Sequence, residues 1–188
     1  MGTIEILWIP LGAGQHVVRL SGRVYESLAA FVRRRPACVL FHSALVVTVS
    51  EGRYVIEMTP VPPGHGAPRG VVAEGPVGLR WLGKLRIFRY EIHRWLDGVI
   101  PDADQATATT TLELAPVDAQ RLLDLVPMVP TPVWGRDELD AGEMWNSNSV
   151  TSWILSRAGI DTANLAPPDG GRAPGWNAGL VVAAADER

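Results

Sequence analysis

The chain has little cysteine, no long apolar run and no dense charge of one sign. Its one cysteine, Cys38, excludes an internal disulfide framework and a cysteine-based zinc site, and therefore favours a reducing compartment. No stretch approaches the roughly 18 apolar residues that a membrane-spanning helix needs. The N-terminal residues lack the basic segment and the cleavage site of a secretory signal. We expect a cytoplasmic protein without membrane insertion.

Charge and motif content exclude further classes. The 17 basic and 20 acidic residues give a net charge of -3, and only residues 33–35 form a basic run, so we expect no nucleic-acid partner. The glycines at 170 and 171 lack the preceding strand and following helix of a phosphate-binding loop. The sequence therefore predicts neither a cofactor nor a metal ion.

The strand signals lie mainly in the first half of the chain. With 188 residues and 47% hydrophobic content, one domain over residues 1–188 is expected. Residues 4–9 and 17–20 are predicted strands, and residues 38–49 and 54–58 form a predicted hairpin around Glu51 and Gly52. Residues 59–78 are predicted to be a long irregular loop, and residues 85–92 another strand.

Three helices and a last strand complete the predicted order of elements. Apolar residues at helical spacing predict a helix over residues 22–34, a second from Pro116 and a third from about Ser147, which Gly159 ends. Residues 180–184 are apolar and predict a final strand. The expected fold class is α+β, with an antiparallel sheet packed against a few helices.

Three short motifs occur in a recognisable order. His42 interrupts the apolar segment Phe41-His42-Ser43-Ala44-Leu45-Val46-Val47, the next strand reads Tyr54-Val55-Ile56-Glu57, and a helix begins in Asn146-Ser147-Asn148-Ser149-Val150. A histidine strand, a polar residue on the following strand and an Asn-Cys-Asn-like helix start resemble the circularly permuted papain-like hydrolases, NlpC-related and lecithin retinol acyltransferase-like. The resemblance covers residues 38–160 and implies a permuted papain-like fold.

The resemblance also implies roles for individual residues. Ser147 stands where the family has its nucleophilic cysteine, His42 where it has its general base, and Glu57 where it has the residue that orients the ring. A hydroxyl is far less acidic than a thiol, so Ser147 depends on His42 to accept its proton. The implied activity is that of a hydrolase or acyltransferase on an amide or ester of a small molecule or peptide. The implied substrate-binding residues flank Ser147, namely Trp145, Asn146 and Asn148.

The same residues allow a structural interpretation. A histidine on a buried strand also fits a hydrogen-bonded core residue, and Ser147 or Asn146 fits a helix N-cap. Thr59 replaces Glu57 as the partner of His42 if the hairpin register differs. The alternative is therefore a non-catalytic papain-like fold that serves as a binding or scaffold module. Cys38 is expected in the core, and His16, His65 and His93 receive no role.

Overall fold

A six-stranded antiparallel sheet dominates the molecule. The computed structural model describes residues 1–11, 38–62, 69–168 and 170–186. The strands run in the spatial order β4-β5-β3-β2-β1-β6, and every pairing between them is antiparallel. Their bounds are β1 Gly2–Pro10, β2 Phe41–Val49, β3 Gly52–Pro60, β4 Val71–Pro76, β5 Arg89–Leu96 and β6 Ala108–Leu114. The expected α+β class with an antiparallel sheet is confirmed.

Three α-helices occur among the described residues, α1 Pro116–Leu125, α2 Ser147–Arg157 and α3 Trp176–Ala185. Proline is in the first turn of α1, where its missing N–H costs no helical hydrogen bond. Gly159 follows α2 with φ 82°, the left-handed conformation that commonly ends a helix. The predicted positions of α1 and α2 are confirmed. No helix in the described part of the chain combines the length and apolarity that crossing a bilayer requires.

The two faces of the sheet differ in what covers them. On one face, strand residues pack against the three helices and form the main core; they include Ile4, Ile6, Trp8, Phe41, Leu45, Ile56, Met58, Tyr90 and Ile92. On the other face, a smaller apolar cluster is covered by the segment that follows β5; it comprises Leu7, Ile9, Ala44, Val46, Val55 and Ile100. Strand side chains alternate between faces, so β1, β2 and β3 each supply residues to both clusters. We call these the helix face and the loop face.

The hairpin of β2 and β3 sets the positions of the polar residues on the loop face. Val49 pairs with Gly52 and Leu45 with Ile56, so the turn is centred on Ser50 and Glu51. The predicted turn around Glu51 and Gly52 is centred one residue later than the observed one. When the same register is continued away from the turn, Thr59 of β3 lies opposite His42 of β2. Glu57 lies on the same face, two residues nearer the turn. The prediction that His42 and Glu57 share a face is confirmed.

Two predicted elements are wrong in type or extent. The predicted strand over residues 180–184 is part of α3, because a short apolar run alone does not distinguish a buried strand from a buried helix. The predicted irregular loop over residues 59–78 contains the last residues of β3 and the whole of β4. Edge strand β4 is only half-buried and rich in small residues, so its periodicity is weak.

Two further strands differ from expectation. The strand predicted over residues 85–92 begins only at Arg89 and runs to Leu96, and residues 80–84 and 86–88 form short 3-10 helices instead. Strand β6, with its threonine-rich sequence, was not predicted, although its burial alternates as a half-exposed strand should. The predicted strand at residues 17–20 and the predicted helix at residues 22–34 lie outside the described residues.

Candidate functional site

His42 lies near the first end of β2 and faces the loop face of the sheet. Its neighbours Phe41 and Ser43 are on the helix face, where Phe41 joins the main core and Ser43 contacts α2. Because adjacent strand residues alternate, the imidazole projects to the opposite side, level with Ile9 of β1. The ring therefore lies at the border of the small apolar cluster rather than inside the main core.

Asp102 is the hydrogen-bond partner of His42. The distance from His42 Nε2 to Asp102 Oδ2 is 3.3 Å, and the two side chains are 19% and 24% exposed. Asp102 precedes the 3-10 helix Ala103–Gln105, in the segment that buried Ile100 anchors to the loop face. Burial acts to raise the pKa of the Asp102 carboxyl, but the hydrogen bond and charge of His42 outweigh it, and the net pKa is lowered. Asp102 is thus an anion beside a partly accessible imidazole.

Glu57 is a second carboxyl near His42, and its pKa is shifted in the opposite direction from that of Asp102. Burial raises its pKa from 4.5 to about 7; nearby Asp102 contributes to the rise, and His42 opposes it. At neutral pH about half of the Glu57 carboxyls therefore carry a proton. The two carboxyls near His42 differ in protonation because one is bonded to the ring and the other is desolvated beside a like charge.

The polar surface continues from Glu57 across the sheet to β5. His93 pairs with Glu57 across β3 and β5, and its Nε2 lies 3.0 Å from Glu91 Oε2. The Nη2 of Arg69 donates to the same oxygen at 3.0 Å. Burial lowers the pKa of His93, although Glu91 opposes this shift. This second group is more deeply buried than the first, since His93 and Glu91 are only 3% and 6% exposed.

The start of α2 is built around Asn146. Its side-chain oxygen accepts from the backbone N–H groups of Asn148 and Ser149, and the Ser149 hydroxyl accepts from the Asn146 N–H. This reciprocal capping box satisfies donors that the first helical turn leaves unpaired. Asn146 is therefore the N-cap, one of the two residues that the sequence offered for that role, and Ser147 is the first helical residue.

Asn148 joins this helix start to β2 on the helix face. Its side-chain oxygen accepts from Ser43 Oγ at 2.9 Å, and its Nδ2 donates to the carbonyl of Phe41 at 2.9 Å. The same Nδ2 donates to the carbonyl of Pro174. The paired residues of β2 and β3 end at Leu45 and Ile56, so Asn148 supplies a hydrogen bond to a β2 carbonyl beyond the last pair. The β2 residues that bond to Asn148 are thus Phe41 and Ser43 rather than His42.

The structure does not join Ser147 to His42. Ser147 is 6% exposed, and among the described residues no hydrogen bond links its hydroxyl to the imidazole, whose Nε2 is bonded to Asp102. The neighbour of Ser147, Asn148, contacts the side of β2 from which the His42 ring points away. The geometry therefore brings His42 and Glu57 together, with Asp102 added, and leaves Ser147 outside this group.

Of the three residues expected to bind substrate, Trp145 and Asn148 are buried and Asn146 is half-buried. Asn146 caps α2 and donates from Nδ2 to Pro174, and Asn148 is 2% exposed. Trp145 is also 2% exposed, and its indole nitrogen has no hydrogen-bond partner within the described residues. The polar contacts of Asn146 and Asn148 hold α2 in place.

The partner residue that sequence reasoning missed is Asp102. It lies 60 positions from His42, and no local pattern distinguishes it from Asp97 or Asp104 nearby. His93 was given no role, yet it is buried against Glu91 and opposite Glu57. His93 and Glu91 are two positions apart on one strand, so their side chains share a face. This spacing is the local sequence feature that could have indicated the His93–Glu91 pair. The prediction that Cys38 belongs to the core is wrong, since this residue is only half-buried. His16 and His65 lie outside the described residues.

The described side chains contain no group of three or more His, Cys, Asp or Glu residues arranged to hold a metal ion. Comparison with known proteins adds no relative, since no family model, curated protein or solved structure matches the chain. The candidate site therefore consists of His42, Asp102 and Glu57.

Proposed function

We propose that the protein hydrolyses an amide or ester bond of a small molecule or peptide, with His42, Asp102 and Glu57 as its acid–base group. The observation that carries the proposal is the contact of His42 with Asp102 at 3.3 Å, beside Glu57 with its pKa near 7. A partly exposed imidazole held by a carboxylate, next to a carboxyl that is in part protonated at neutral pH, is the combination that general acid–base catalysis needs.

His42 is the general base in this proposal. Because Asp102 is ionised, the neutral ring carries its proton on Nε2 and donates it to the carboxylate, so the lone pair is at Nδ1. Nδ1 takes a proton from a water molecule as the water oxygen bonds to the carbonyl carbon of the substrate. Asp102 fixes the tautomer and stabilises the imidazolium that forms, as the aspartate does in serine hydrolases.

Glu57 is the general acid. It gives its proton to the leaving nitrogen or oxygen as the bond from that atom to the carbonyl carbon breaks. The imidazolium of His42 then returns a proton to the Glu57 carboxylate, directly or through water, and both groups regain their starting states. The overall reaction consumes one water and releases an acid and an amine or alcohol.

The site can be tested with a panel of p-nitrophenyl esters and amino-acid anilides. His42→Gln and Asp102→Asn should each lower the rate on any substrate found by about 10²-fold or more. Asp104→Asn is the matched control, because Asp104 is an exposed carboxylate in the same segment. It should leave the rate unchanged. Equal losses in Asp102→Asn and Asp104→Asn would remove Asp102 from the site.

A second candidate is a non-catalytic binding or scaffold module. It is favoured by the start of α2, where Ser43 and Asn148 form a buried hydrogen bond and Asn146 caps the helix. In the permuted papain-like arrangement that the motifs resemble, this helix start supplies the nucleophile; here its polar groups are used in structural contacts. The panel of substrates distinguishes the candidates, because a module of this kind turns over none of them and loses no activity in the His42 variant.

A further inference from the structure

An exposed apolar segment connects β4 to β5. Residues 79–88 include the 3-10 helices Arg80–Lys84 and Arg86–Phe88, neither of which has a buried residue. Trp81, Leu85 and Ile87 are 64%, 54% and 76% exposed, and Leu79 is 41% exposed. Single exposed apolar side chains are ordinary, but a run of large ones on one short segment marks a surface that contacts something else. We call residues 79–88 the docking segment.

Basic residues accompany these apolar side chains. Residues 77–90 contain Arg80, Lys84, Arg86 and Arg89 and no acidic residue, in a chain of net charge -3. Arg80 pairs with Glu138 at 2.7 Å and Arg89 with Glu74 at 3.0 Å. Within the described residues Lys84 and Arg86 form no ion pair. The docking segment therefore presents two uncompensated positive charges beside its exposed apolar side chains.

From this combination we infer that the docking segment binds the surface of an anionic lipid bilayer. Apolar and basic residues are interleaved along the segment, whereas a protein interface has an apolar centre and a polar rim. Interleaving suits the boundary of a bilayer, where a tryptophan ring and aliphatic side chains enter the headgroup layer while Lys and Arg extend to phosphates. Each such cation near an anionic surface adds attraction that salt screens.

The docking segment lies at the same end of the sheet as His42. Pro76 pairs with Arg89, and Pro60 pairs with Tyr90, while His42 is the second residue of β2, whose first residue pairs with Pro10. A bilayer bound by residues 79–88 would therefore lie beside the end of the sheet that carries the acid–base group. The lipid-binding proposal does not depend on that group being catalytic.

The test is co-sedimentation of the full chain with vesicles of phosphatidylcholine alone and of phosphatidylcholine mixed with phosphatidylglycerol. We expect binding to the mixed vesicles, weakened by added salt, and much weaker binding to phosphatidylcholine alone. Trp81→Ala should weaken binding to the mixed vesicles about tenfold or more. Lys84→Gln and Arg86→Gln should each weaken it by about fivefold.

Matched controls come from α1. Val117 is 71% exposed, and α1 follows the end of β6 that pairs with Gly2, at the opposite end of the sheet. Val117→Ala and Arg121→Gln should leave vesicle binding unchanged. All substituted positions are exposed, and circular dichroism melting verifies that each variant folds.

Two results would overturn the lipid proposal. One is equal binding to both vesicles, since that would remove the role of charge, and the other is no binding to either vesicle. The second result could come with a dimer, seen by sedimentation velocity without lipid, that Trp81→Ala dissociates. That outcome would assign the docking segment to contacts between two copies of the chain.

Discussion

His42 and Asp102 form a hydrogen bond of 3.3 Å across 60 positions of sequence. The contact exists because the chain leaves β5, crosses the loop face of the sheet and is anchored there by Ile100, which is 3% exposed. It gives His42 a carboxylate partner on the side of the sheet opposite α2.

Glu57 should make the stability of the protein depend on pH. Its pKa is about 7 in the folded chain, against an ordinary value of 4.5, and its charged and titratable neighbours are His42, Asp102 and His93. Between pH 4.5 and pH 7, Glu57 is therefore largely protonated in the folded chain and largely ionised in the unfolded chain. The contribution of Glu57 to stability is therefore fully present below 4.5 and lost as the pH rises through 7.

Replacing Glu57 with the neutral glutamine should remove this dependence. Glu57→Gln should match the wild type near pH 4 and be more stable near pH 8, by up to about 3 kcal/mol. Urea unfolding at both pH values measures the difference. Glu51→Gln, at an exposed position of the hairpin turn, is the control and should show no such trend. A Glu57→Gln variant whose advantage does not grow with pH would contradict the raised pKa.

The capping box of α2 should contribute measurably to folding. Asn146→Ala removes the acceptor for two helical N–H groups and the donor to Pro174. The free energy of unfolding should fall by about 1–2 kcal/mol. Asn177 is an exposed asparagine in the first turn of α3, so Asn177→Ala is the matched control. It should not lower the free energy of unfolding. Equal effects of the two substitutions in urea unfolding would show that the cap contributes nothing specific.

The close contact of α2 with α3 should reverse the usual preference of helices for alanine. A Cβ at Gly179 would lie 2.1 Å from the carbonyl oxygen of Ser149 and from Ser152 Oγ. Gly179→Ala should therefore destabilise the protein by about 1–3 kcal/mol, although alanine is better in an open helix by about 1 kcal/mol. Ala184→Gly, at an exposed position of the same helix, measures that propensity alone. A stabilised Gly179→Ala variant would show that the helices can separate without cost.

Local patterns predicted the elements whose periodicity is strong. The β2–β3 hairpin, α1 and α2 could be found from apolar spacing, from Pro116 and from Gly159, because each depends on neighbouring residues. Strand β6 and helix α3 could not be assigned in this way: the first is rich in threonine, and the second begins at Trp176 with an apolar sequence that fits either element. Their identity is set by packing against β1 and α2.

The candidate site was predictable only in part. His42 and Glu57 share a face because strand side chains repeat every two residues, and that much follows from an even-length turn. Asp102 joins them through a contact between distant parts of the chain, which no local pattern encodes. The position of Ser147 depends on which face of β2 meets α2, and the contact of Ser43 with Asn148 decides this.

The most direct test of the account compares the hydrolysis rates of His42→Gln and Ser147→Ala on the same ester or anilide. Because His42 bonds to Asp102 and no hydrogen bond among the described residues links it to Ser147, we expect a loss of about 10²-fold or more in His42→Gln. The rate of Ser147→Ala should stay within about twofold of the wild type, as expected of a residue outside the acid–base group. Comparable large losses in both variants would contradict the account and make Ser147 the nucleophile.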